Sequence, residues 1–120
     1  MSFKIGSRQY DHALTNLLLA LNFNISSKGF EYWKCAIRIY SKSRFKYNNT
    51  IENVYFEIAK MYNTTRSRVE RAMRTACIRA KAEIRKEFNY NSKLSNKVIL
   101  SLIVENYNIL GRWLKWNMKY

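Results

Sequence analysis

This sequence predicts an all-α fold, a compact multi-helix domain that includes a helix-turn-helix, on three observations. Proline is absent and glycine occurs only three times in 120 residues, which suits helices joined by short polar turns and gives strands little support. Apolar residues recur at three- and four-residue spacing through several segments. Residues 58–74 have the spacing of two helices crossed about a tight turn. By length the chain is one domain, 1–120, and 48% hydrophobic with 15% aromatic content supports a packed core rather than a disordered basic tail. The core is expected over residues 10–108, followed by a basic, aromatic tail at 109–120.

The first helix is predicted from Tyr10 to Leu21, with Ala13, Leu14, Leu17, Leu18 and Leu21 on one face. Asn22 to Ser27 reads as a turn. A second helix, Gly29 to Tyr40, carries Phe30, Trp33, Ala36, Ile37 and Tyr40 at helical spacing and gives way to a basic loop at 41–49. Thr50 is placed to cap a third helix over 51–62, the scaffold half of the motif, with Glu52 favourable against the dipole in its first turn. Asn63 stands where the chain must pass through left-handed backbone, which asparagine tolerates. Thr64 and Thr65 are candidate N-caps for a fourth helix, the recognition helix, starting near Thr65 and running to Phe88. Its inward stripe is Val69, Met73, Ala76, Cys77, Ala80 and Ile84, and Arg68, Arg71, Arg74, Lys81 and Arg85 occupy the opposite face. Ile58, Ala59, Tyr62, Val69 and Ala72 fall where the two crossed helices pack. Ser95 or Asn96 caps a final helix containing Val98, Ile99, Leu102, Ile103 and Tyr107. There is no internal repeat and no domain boundary.

Charge narrows the partners. The chain has 22 Lys+Arg against 8 Asp+Glu, a formal net charge of +14, so it attracts polyanions. Nucleic acid is the commonest of these, although an anionic membrane surface or an acidic protein would satisfy the same charge. No stretch approaches the length of a membrane span and no secretory signal is visible, so a cytoplasmic, nucleoid-associated protein without membrane contact is expected. Cys35 and Cys77 have no CxxC or Cys/His spacing and read as buried thiols, so neither a metal nor a cofactor is expected. His12, the single histidine, reads as a helix-surface residue. The carboxylates are scattered and no phosphate loop or Ser/His/Asp arrangement can be picked out, so an enzyme is not expected.

The helix-turn-helix leaves Arg66, Ser67, Arg68, Glu70, Arg71 and Arg74 facing out, and these are base-reading and phosphate-binding residue types. On spacing alone, Arg68 and Arg71 have a bland alternative as a solvated helix face with Glu70 as internal counter-ion. The string Asn63-Thr64-Thr65, one variable residue, then Ser67-Arg68-Val69-Glu70-Arg71-Ala72 closely resembles the recognition region of the C-terminal DNA-binding domain of stage-zero sporulation protein A, the response regulator of endospore formation. Upstream, Lys28-Gly29-Phe30-Glu31-Tyr32 followed by Ala36-Ile37 looks like a second segment of that family, and the similarity spans most of Tyr10 to Tyr107.

The resemblance implies an all-helical domain that binds short promoter elements of the TGTCGAA type, with adjacent copies on tandem elements as a homodimer, and with RNA polymerase as a further partner. By position Ser67, Arg68, Glu70 and Arg71 match the residues which the family directs into the major groove. Their chemistry suits a core containing G and C, since arginine bonds guanine O6 and N7 and glutamate accepts from cytosine N4. Thr65, Arg66, Arg74, Lys60 and the loop residues Lys42, Arg44 and Lys46 are assigned to phosphates, with solubility an equal reading for any single loop lysine. The family's receiver has no counterpart in 120 residues, so regulation without a receiver is expected. The alternative is an interaction or inhibitor protein from a mobile element that pairs with, or competes against, a full-length regulator. Leu102, Ile103, Tyr107, Leu110, Trp113 and Trp116 are candidates for contact between copies, or else for packing back onto the first helix; Trp113 and Trp116 are also open to a role as interfacial anchors.

Overall fold

A computed structural model describes residues 8–43 and 50–107. These form six helices: α1 (Arg8–Ala20), α2 (Lys28–Ser43), α3 (Ile51–Met61), α4 (Arg66–Ala76), α5 (Ala80–Phe88) and α6 (Asn96–Tyr107), with no strand among the described residues. The predicted all-α class is therefore what the chain adopts.

Helix α2 is the hub, packing on α1, α3, α4 and α6, while α4 also lies against α3 and α6. Trp33 of α2 is fully buried at the centre and meets the Phe23 ring edge-on at 5.2 Å. Around it pack Leu14 and Leu18 of α1, Phe30 and Ile37 of α2, Ile58 of α3, Met73 of α4 and Ile99 of α6, each no more than 1% exposed. This stripe, at three- and four-residue intervals on every helix, removes apolar surface from water at about 25 cal/mol per Å².

Three helices stop in the same way. Asn22, Asn63 and Asn89 have φ of 69°, 52° and 50°, and the residue after each asparagine donates its N–H five residues back: Phe23 to Leu18 O, Thr64 to Ala59 O and Tyr90 to Arg85 O, at 2.9–3.1 Å. Asparagine pays less for left-handed backbone than any other residue with a Cβ, so it does here what glycine does elsewhere. Threonine or serine opens α3, α4 and α6. Thr50 Oγ1 accepts from Asn53 N, Thr65 Oγ1 from Arg68 N, and Ser95 Oγ from Val98 N, at 3.2–3.3 Å.

Four expectations are corrected. The predicted 65–88 helix is two helices, broken at Cys77–Arg79, where Ile78 N bonds Thr75 O and Ala80 N bonds Cys77 O. The freed carbonyls are taken up from outside: Asn24 N reaches Ala76 O at 3.1 Å and Asn22 Nδ2 reaches Arg79 O at 3.4 Å. Helix α2 continues to Ser43, so Lys42 lies in its last turn rather than in a loop. Tyr62 is 43% exposed and leans on α2, edge-on to Tyr32 at 5.0 Å, instead of packing between α3 and α4. Ile103 and Tyr107 are buried, Tyr107 against Phe88 and donating to Glu87 Oε1 at 3.3 Å, so the core uses them rather than a contact surface. Helix α6 closes the core through α2 and α4. Leu110, Trp113 and Trp116 lie outside the described residues, as do Arg44 and Lys46.

Candidate DNA interface

The turn between α3 and α4 sets the site. Asn63 reverses the chain and Thr65, in extended backbone (φ −111°, ψ 156°), caps α4. Eleven residues make α4 roughly 16 Å long, enough to lie in a major groove. Val69, Met73 and Ala76, at most 1% exposed, hold it to the core. Arg66, Ser67, Arg68, Arg71 and Arg74 are exposed on the other side, and Glu70 is partly so.

These side chains are not one cluster. Arg66, Ser67, Glu70, Arg71 and Arg74 line an open, polar trough against Glu52 and Tyr55 of α3. Arg68 lies on α4 outside that trough. Glu70 pairs with Arg74 at 3.5 Å, one turn on, so its counter-ion is Arg74 rather than Arg68 or Arg71. An exposed pair of this kind is worth about 0.3–0.5 kcal/mol, little enough to be given up to DNA. Lys60 on α3 sits 3.8 Å from Glu57 and over the Phe56 ring, 5.2 Å from its centroid. Lys42 is exposed at the end of α2.

Besides this apolar face, α4 is held through its main chain. Trp33 Nε1 donates to Met73 O at 2.8 Å in the core. Asn96 Nδ2 donates to Glu70 O at 3.2 Å and to Tyr55 Oη at 3.1 Å, tying the start of α6 to both helices of the motif. Burial pushes the Tyr55 phenol above its ordinary pKa, so it stays neutral in this network. At Gly29 the backbones of α2 and α4 nearly touch: a Cβ there would lie 2.0 Å from Ala72 O and 2.8 Å from Ala76 Cβ. Sequence reasoning missed Trp33, Tyr55, Asn96 and Gly29 as supports of the site. The one local signal is Gly29, a helix-weakening residue in the first turn of α2.

The family model described as "Sporulation initiation factor Spo0A C terminal" matches residues 14–105, which takes in all of α2 to α5 and most of α1 and α6. The chain belongs to this family. It is thus a DNA-binding effector domain of the sporulation-regulator type, and double-stranded DNA is its partner. The family is one of DNA-binding domains. No helix among the described residues is long and apolar enough to cross a membrane.

Proposed function

We propose that this chain is a sequence-specific transcriptional regulator that inserts α4 into the major groove and reads base edges with Ser67, Arg68, Glu70 and Arg71. The observation that carries this reading is the outward face of α4: a capped helix held through its backbone presents arginines, a serine and a glutamate to solvent while its apolar face is fully used. Two arginines suit guanines and the glutamate suits a cytosine, as a box of the TGTCGAA type requires. Thr65 and Arg66 at the start of α4, Arg74, Lys60 and Lys42 hold phosphates, joined by Arg44 and Lys46. Adjacent copies occupy tandem boxes, where RNA polymerase is a further partner. Of the proposed contact residues Leu102 is the one left partly at the surface of the described core.

Selecting bound sequences from random duplex DNA tests the reading, and an enriched GC-containing core is expected. Arg68→Ala or Arg71→Ala then costs about 1–3 kcal/mol at the selected site and relaxes preference at one G·C pair, with the fold intact. Equal weakening on selected and random duplexes would make these arginines phosphate contacts and overturn the assignment.

A further inference from the structure

A second cationic element lies outside the helix-turn-helix. The segment that leads into α6 borders a cleft lined by Arg74 of α4, Lys81 of α5, Lys93 and Lys97. This cleft shares Glu52, Tyr55, Glu70 and Arg74 with the trough along α4, so the two form one continuous surface. Its two carboxylates are Glu52 and Glu70, and Glu70 is already engaged by Arg74. Lys93 and Lys97 are exposed and make no ion pair among the described residues.

The segment is held rigidly. Arg85 Nη1 donates to Ser92 O at 2.6 Å and to Tyr90 O at 3.3 Å, immediately before Lys93. Leu94, 3% exposed, anchors the next position in the core. Ser95 caps α6, and Asn96 bonds the main chain of α4 at Glu70. Lys93 and Lys97 therefore flank a short segment that is buried at Leu94 and hydrogen-bonded to the recognition helix at Asn96. Their ammonium groups, although on flexible stems, start from backbone whose position relative to α4 is fixed.

We propose that Lys93 and Lys97 form a phosphate clamp that grips the DNA backbone beside the groove occupied by α4. The inference rests on the reading that α4 faces DNA. Lysine is suited to this role, because a compact point charge holds a phosphate without demanding a particular base edge. The Asn96 bond to Glu70 O couples the clamp to the reading helix, so the phosphates it takes are set in register with the bases that α4 meets. The occupant is the sugar-phosphate backbone of the bound duplex rather than an acidic protein, because the cleft is continuous with the α4 face and shares Arg74 with it.

The test is Lys93→Gln/Lys97→Gln in the whole chain, compared with Arg8→Gln/Lys86→Gln, which removes the same charge from exposed sites on α1 and α5. Each phosphate contact contributes about 0.9 to the slope of log affinity on log salt, so the first variant should have a slope smaller by about 2 and lose about tenfold less affinity than the parent between roughly 50 and 200 mM salt. Phosphate ethylation interference should disappear at one flank of the site, with the selected sequence unchanged. An unaltered slope, an unaltered interference pattern, or an equal effect of the control variant would overturn the clamp. Arg71→Ala reports separately on base reading: if it leaves sequence preference intact while the lysine variant behaves as expected, the readout fails and the clamp stands.

Discussion

Burial pushes the Cys77 thiol from its ordinary 9.0 to about 11, outweighing the opposite pull of Lys81. The thiol is fully buried and its Sγ donates to Arg74 O at 3.4 Å, so ionising it means placing an anion among apolar side chains at the end of the recognition helix. The folded chain keeps this proton to about pH 11, whereas the unfolded chain releases it near pH 9. The folded state therefore binds more protons across that window. Stability from this group is complete below pH 9 and is lost as pH rises to 11, by an amount on the order of 2 kcal/mol. Melting temperature should fall over pH 9–11 and fall less in Cys77→Ala, each protein referred to its own value at pH 8; parallel curves would show that Cys77 ionises equally in both states. At this scale the sequence was partly readable. Asn63 could be assigned left-handed backbone because the motif around it requires a tight turn. Asn22 and Asn89 adopt the same conformation with no such motif, and nothing local distinguishes them from other polar turn residues.

The recognition helix is gripped by its backbone, and Gly29 shows how tightly. In a free helix Gly→Ala stabilises by about 1 kcal/mol, because it reduces the freedom of the unfolded chain. Here the added methyl would lie 2.0 Å from Ala72 O, an atom of backbone that cannot rotate away. We expect Gly29→Ala to reverse sign and destabilise by about 1–3 kcal/mol, as overpacking does. It should also weaken selection for the preferred duplex more than binding to random DNA, since α4 is displaced along its length. Denaturant unfolding checks the first part, and a Gly29→Ala protein as stable as the parent would rule out the close approach of α2 and α4. Helix existence was legible throughout, because apolar spacing and the caps Thr50, Thr65 and Ser95 are local. The break after Ala76 was not. Val69, Met73, Ala76, Ala80 and Ile84 continue one helical stripe without interruption, and the groups that take the freed carbonyls, Asn22 and Asn24, come from more than 50 residues upstream. The same holds for the candidate site: its exposed face could be read from a contiguous string, whereas Trp33 and Asn96 reach it only through tertiary contact.

Across the whole molecule, charge sets two responses of opposite sign to salt. Even if every one of the 8 carboxylates were paired, an excess of 14 cations would remain to repel one another. Some acids already serve more than one cation, since Asp11 meets both Lys34 and Arg38 where α1 packs on α2. Raising salt from about 10 to about 100 mM shortens the reach of these charges from about 30 Å to about 10 Å. The free protein should be relieved of self-repulsion and melt at a higher temperature, while the same salt displaces it from DNA by removing the gain from counter-ion release. Thermal melting of the free chain and anisotropy of a labelled duplex, read over one salt series, should therefore diverge: midpoint rising as affinity falls steeply. A melting temperature that stayed flat or fell would mean that the cations do not repel in the folded state. A flat affinity for the selected duplex would mean that the basic face is not the surface that meets phosphate.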